Sequence, residues 1–102
     1  MNIKNIKSLR IFGQRWGVIW VTPEMQESLL DNQIAKSCNY ENNIYILNSL
    51  SDDKTFEVLL HEAIHVVDED LRTELEENTV NRLSIGIASV LLDNFNVNVK
   101  EK

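Results

Sequence analysis

The chain of 102 residues is long enough for one domain with a single modest core and too short for two. Its 43% hydrophobic and 25% charged residues, with only three Gly and one Pro, exclude a disordered or fibrous chain. Ten basic against 16 acidic residues leave a net charge of −6, which repels phosphate backbones and argues against direct nucleic-acid binding.

The loose basic cluster Lys4, Lys7, Arg10 and Arg15 reads as a solvated strand face, because no helix-turn-helix or aromatic single-strand reader accompanies it. A single cysteine, Cys38, precludes an intrachain disulfide, and the first ten residues lack the apolar stretch of a signal peptide. A reducing cytoplasm is the expected compartment. No apolar run approaches the roughly 18 residues that span a bilayer, so no membrane segment is expected. The oligomeric state is left open.

In chain order, segments 6–12 and 16–21 are rich in β-branched and aromatic residues and flank Gly13-Gln14-Arg15, which predicts a hairpin with Trp16 and Trp20 on its core face. Thr22 as N-cap and Pro23 as first helical residue predict a short helix to about Asp31. Segments 34–40 and 44–47 flank Glu41-Asn42-Asn43 and predict a second hairpin, with Asn suited to left-handed geometry. If the strand Ile44 to Leu47 is a sheet edge, it offers an extended peptide unpaired N–H and C=O groups beside the helix that follows.

Ser51, followed by Asp52 and Asp53, predicts a capped helix running to about Asp70, with Leu59, Leu60, Ala63, Ile64 and Val67 as its apolar face. Thr73 and Glu76 form a possible capping box for a last helix ending near Asn94, whose Val80, Leu83, Ile87, Val90 and Leu91 recur at helical spacing. Residues 1–94 are expected to form one α+β domain, a small antiparallel β-sheet packed on two long helices, with 95–102 a loose tail. There is no internal repeat or linker.

Both histidines of the chain sit in the first long helix, in His61-Glu62-Ala63-Ile64-His65. At 3.6 residues per turn His61 and His65 stack on one face and Glu62 turns about 100° away. Such a histidine pair offers two nitrogens to one ion, while the glutamate is better placed to act on water than to ligate. Two histidines fall four apart by chance, with Glu between, in roughly 0.2% of arrangements, so the pattern is read as a metal site rather than coincidence.

A catalytic zinc typically takes a third protein ligand, and the chain has no third histidine. A carboxylate of the next helix is expected: Glu77, three residues before Val80 on the apolar side, with Glu74 next in line and Glu76 reserved for the capping box. Without the histidine pair all three would read as a solvated acidic first turn. Asp68 is either a partner for the ring N–H of His65 or a surface residue. Tyr40, Tyr45 and Arg82 are candidates to stabilise an oxyanion, against a structural role for each tyrosine. Cys38 reads as a strand residue, though it is the only thiol that could close a zinc shell.

The run H-E-A-I-H at 61–65 followed by E-N-T-V-N-R-L-S at 77–84 resembles the ImmA/IrrE-like zinc metallopeptidases, whose motif is H-E-x-x-H and then E-x-x-A-N-x-F-A. It is most similar to their short phage-encoded members, and the hairpin around C-N-Y-E-N-N-I-Y-I extends the likeness over roughly residues 35–93. Val80, Leu83 and Ser84 stand where that motif has Ala, Phe and Ala, and eleven residues separate His65 from Glu77. The resemblance implies a minimal zincin-like fold, zinc held by His61, His65 and Glu77, Glu62 as general base, and a protein or peptide substrate such as a regulator of a phage or mobile element. The sequence leaves two other classes standing: a catalytically inactive, zinc-stapled regulatory or binding module, and an accessory domain with a coincidental motif.

Overall fold

The structure, a computed structural model, describes residues 3–22, 24–25, 29 and 33–95. After a 3₁₀ turn at Ile3–Asn5 come β1 (Ser8–Ile11), β2 (Gln14–Val21), β3 (Ala35–Cys38), β4 (Asn43–Leu47), α1 (Asp52–Leu71) and α2 (Glu77–Asn94). This is an α+β protein. The helix expected from Pro23 to Asp31 falls mostly outside the described residues, as does nearly all of the tail. No described helix is long and apolar enough to cross a membrane.

Both hairpins form, but their turns sit earlier than expected: Gln14 and Arg15 already belong to β2, and Asn43 to β4. Ile11 pairs with Gln14, and the two residues between them, Phe12 and Gly13, have φ of 50° and 77°. Positive φ at both central positions matches the right-handed twist of the strands, and Gly13 adopts it without a Cβ clash. In the second hairpin Asn42 takes the left-handed conformation at φ 55°, as its short polar side chain permits.

The sheet order is β1-β2-β4-β3, and β2 pairs with β4 in parallel, so the sheet is mixed rather than wholly antiparallel. This corrects the expected all-antiparallel sheet. β4 lies between β2 and β3, so Ile44 to Leu47 is an interior strand, and β3 is the edge. Ile44 and Ile46 are completely buried, as an interior strand against a helix requires.

Alternation puts Trp16, Val18, Ile44 and Ile46 on one face, where they meet Val58, Leu59 and Val66 of α1 and Ile3 in one core. Each large side chain so buried contributes about 1.5–3 kcal/mol. Trp20 lies half-buried beside them and donates its indole N–H to the Ile6 carbonyl at 2.9 Å. Lys4 does not belong to a solvated strand face: its Nζ donates to the carbonyls of Asn48 and Leu50, tying the N-terminus to the loop before α1.

Ser51 caps α1, its Oγ accepting from the Lys54 N–H at 3.3 Å, with Asp52 and Asp53 in the first turn. α1 ends at Arg72 in the left-handed conformation, and Glu74 repeats that conformation two residues later. These two reversals turn the chain back on itself within five residues. Thr73 does not cap α2. Its hydroxyl donates to Asp68, and α2 starts at Glu77 with Glu76 as an N-cap that makes no side-chain hydrogen bond.

Candidate metal centre

α1 is rigid at its middle because Leu59, Glu62 and Val66 are buried against the sheet on one side. The same phase sends His61 and His65 to the adjoining side, toward α2. The tight turn then brings Glu77, the first residue of α2, directly across from them, where an acid also complements the helix dipole.

The three side chains converge. His61 Nε2 lies 2.7 Å from Glu77 Oε1, His65 Nε2 lies 2.9 Å from Glu77 Oε2, and the two Nε2 atoms are 3.1 Å apart. With one ligand atom from each residue, all lie within 4.8 Å of one another, a group that can hold a metal ion. Donors about 2.0–2.2 Å from a tetrahedral zinc stand about 3.3 Å apart, close to the 3.1 Å between the two imidazole nitrogens, and the Glu77 carboxylate spans the pair with one oxygen toward each. Two imidazoles and a carboxylate suit a borderline-soft divalent cation. The histidines are partly buried and the Glu77 side chain is 70% exposed, so the group is anchored on α1 and open to solvent on the α2 side.

Glu62 is not among these ligands. Its side chain turns toward β3, where it is only 7% exposed and accepts a hydrogen bond from Ser37. Burial raises its pKa above the ordinary carboxyl range, and Glu77 adds to the rise, while His61, His65 and the Ser37 hydrogen bond oppose it. A buried, unligated carboxyl beside a metal-capable triad is thus held closer to neutrality than a free glutamate.

Two clefts meet over Glu62 and the triad. One, of about 340 Å³, runs between β3 and the helices and is lined by Ile34, Ala35, Val58, Asn81 and Ser84. The other, of about 440 Å³, continues past His65 along Lys36, Ser37, Asn39, Asp68 and Glu69. Asn81, one turn beyond Glu77 on the same face of α2, is a polar neighbour that sequence reasoning passed over, although it stands inside the second motif.

The remaining candidates lie elsewhere. Tyr45 alternates with the buried Ile44 and Ile46 and so faces away from α1, donating its hydroxyl to Glu41 at 2.5 Å while Lys36 lies over its ring. Tyr40 is 99% exposed in the hairpin loop. Arg82 lines a separate groove on the outer side of α2. Cys38 shares the Tyr45 face of the sheet, since Ser37 beside it is the residue that meets Glu62.

Asp68 does not accept from the His65 ring. Its Oδ1 takes the Thr73 hydroxyl and the Leu75 N–H, the latter at 3.1 Å, and these bonds hold its pKa below the usual range. It braces the turn. Glu74 and Glu76 are exposed and lie outside the triad.

No family model, curated protein or solved structure matches this chain. The functional reading therefore rests on the chemistry of the site itself.

Proposed function

We propose that the protein is a zinc-dependent metallopeptidase. The observation that carries this reading is Glu62: a carboxyl buried next to a metal-capable triad, outside the ligand set, with its pKa raised. A purely structural metal site is closed by its ligands and has no use for such a group. Burying it costs stability that His61, His65 and Ser37 offset only in part, and carboxyls perturbed in this way cluster at functional sites.

A zinc ion held by His61, His65 and Glu77 supplies Lewis-acid polarisation of a carbonyl and acidifies water. Glu62 then takes a proton on its carboxylate as water adds to the peptide carbonyl carbon. It returns that proton to the amide nitrogen as the C–N bond breaks, so the products are a carboxylic acid and an amine. Ser37 holds Glu62 in place during both transfers. The edge strand β3 offers the substrate its outward backbone groups. Leu47 donates to the Ile34 carbonyl at 2.8 Å, so alternation leaves the N–H and C=O of Ala35 and Ser37 directed away from β4 and along the cleft. An extended peptide added there would lie across the triad.

One observation favours a metal-stapled binding module instead: Tyr40, Tyr45 and Arg82 all lie away from the cleft, leaving Asn81 and Ser84 as its neutral polar residues on α2. Digestion of unfolded polypeptide by metal-loaded protein separates the two. Wild type is expected to cleave, with Glu62→Gln retaining the metal and the fold and losing about 10²–10⁴-fold in kcat. Stoichiometric metal without cleavage in wild type would assign the site to the binding module.

A further inference from the structure

α2 is an unusual helix for a protein core. It has seven large aliphatic residues, Val80, Leu83, Ile85, Ile87, Val90, Leu91 and Leu92, yet only Val80 among them is buried. The line that α2 turns inward is Val80, Ser84 and Ala88, and its inner neighbours are small. Leu83, Ile87 and Val90 are 42, 40 and 55% exposed instead, and with Gly86 they fall within an arc of about 100° at helical spacing. They line one groove whose surface is almost wholly apolar.

Gly86 has no reason to be glycine within this chain. A Cβ built on it meets nothing within 4 Å, and its φ is not in the left-handed region. Glycine in a helix interior is nevertheless unfavourable relative to alanine. It sits midway along the stripe, on the rim nearest Arg82 and Asp93, and leaves a notch into which another backbone can approach closely.

The flanking charges say what that other backbone is. Arg82 and Asp93 are eleven residues apart, close to three full turns, so both lie on the same flank of the stripe, about 20° apart around the axis. Arg82 makes no hydrogen bond or ion pair among the described residues. In two helices related by a two-fold axis perpendicular to them, like flanks meet with their directions reversed. Centring such a pair between Gly86 and Ile87 brings Arg82 to within roughly 3 Å along the axis of Asp93 of the other copy, twice over. A parallel pair would instead place each charge at its own level and lose both contacts.

We propose that α2 is the interface of an antiparallel homodimer, two copies packing Leu83, Ile87 and Val90 across the Gly86 notch, with Arg82 of each copy facing Asp93 of the other. The metal triad lies on the neighbouring side of α2, so dimer formation leaves both clefts accessible.

Sedimentation velocity of the full chain from about 1 μM to about 1 mM covers the range of a modest helical interface. Dimer is expected to accumulate across this range. Ile87→Glu is expected to abolish it while keeping helical circular dichroism and metal stoichiometry. Gly86→Ala is expected to fold at least as well as wild type and to shift the dimerisation midpoint upward about tenfold, since the methyl fills the notch. Arg82→Asp is expected to weaken the dimer and the double exchange Arg82→Asp, Asp93→Arg to restore it. A monomer throughout, association indifferent to Ile87→Glu, or a double exchange as weak as Arg82→Asp alone would each overturn the proposal. Co-sedimentation of monomer with neutral lipid vesicles, lost in Ile87→Glu, would assign the stripe to a membrane surface and overturn it likewise.

Discussion

Asp68 accepts a 3.1 Å hydrogen bond from the backbone N–H of Leu75, across the turn that delivers Glu77 to the two histidines. The same oxygen takes the Thr73 hydroxyl, so one carboxylate near the end of α1 fixes the entry to α2. Two residues of that turn, Arg72 and Glu74, have positive φ without being glycine, which makes the bracing matter. Asp68→Ala is expected to lower Tm and weaken metal binding about tenfold, because Glu77 is no longer held in place. Isothermal titration with zinc and thermal unfolding check both effects.

The pKa of Asp68 gives that expectation a pH signature. Hydrogen bonds from Thr73 and from the Leu75 N–H depress it in the folded state. Its contribution is therefore fully present above the unfolded value of about 3.9 and is lost as pH falls through the folded value. Stability curves measured in chelator from about neutral pH to about pH 3 should fall less steeply below about pH 4 for Asp68→Asn than for wild type. Parallel curves would show that the turn does not depend on this ionisation.

The metal site itself is tested by ligand removal. Purified protein is expected to take about one zinc per chain, and His61→Ala or His65→Ala to weaken binding more than about 100-fold. Glu77→Gln should weaken it far more than Glu74→Gln or Glu76→Gln, since only Glu77 lies within 3 Å of the two imidazoles. Equal losses from all three glutamates would point to diffuse electrostatic attraction rather than ligation.

Glu62 makes the opposite pH statement to Asp68. Burial raises its folded pKa, so in metal-free protein the folded state holds its proton more tightly than the unfolded chain does. Stability then declines as pH rises from about 4.3 through the folded pKa, because ionisation in place is disfavoured. Metal-free Glu62→Gln is expected to be more stable than wild type at neutral pH and to lose that advantage in acid. Urea unfolding in the presence of chelator measures the difference, and a Gln variant less stable at neutral pH would show that the ionised carboxylate is the better accommodated form.

Much of this arrangement was legible in the chain. The His61 and His65 spacing, the Ser51 cap and the left-handed Asn42 are local features, and local geometry decides them. The parallel pairing of β2 with β4 was not legible, since strand periodicity carries no information about which distant strand becomes a neighbour. α2 misled for a different reason. Its Leu83, Ile87 and Val90 have core-like spacing, but the side against α1 is taken by Ser84 and Ala88, whose small side chains suit that contact. Thr73 and Glu76 match a capping box in sequence, yet Asp68 offers Thr73 a competing acceptor that no i, i+3 rule includes. Tyr45 could have been placed from alternation alone: two apolar residues at 44 and 46 leave the residue between them on the opposite face.

The displaced edge changes where a substrate would bind and therefore which proline tests it. Ile46 is completely buried in an interior strand, so Ile46→Pro is expected to unfold the protein and report nothing about substrate. Ala35 is the useful position. It sits on the edge strand opposite Ile46, in a pair whose backbone groups do not bond across to β4, and it lines both clefts. Proline there removes an outward N–H without breaking the sheet, a placement edge strands accept. Ala35→Pro is expected to keep the fold and bind zinc as wild type does. Its kcat/KM on an unfolded polypeptide should fall about tenfold, mostly through KM, since the lost group aligns the peptide and takes no part in proton transfer. A fall confined to kcat would place Ala35 in the chemistry, and unchanged cleavage by the folded variant would rule out strand addition at β3.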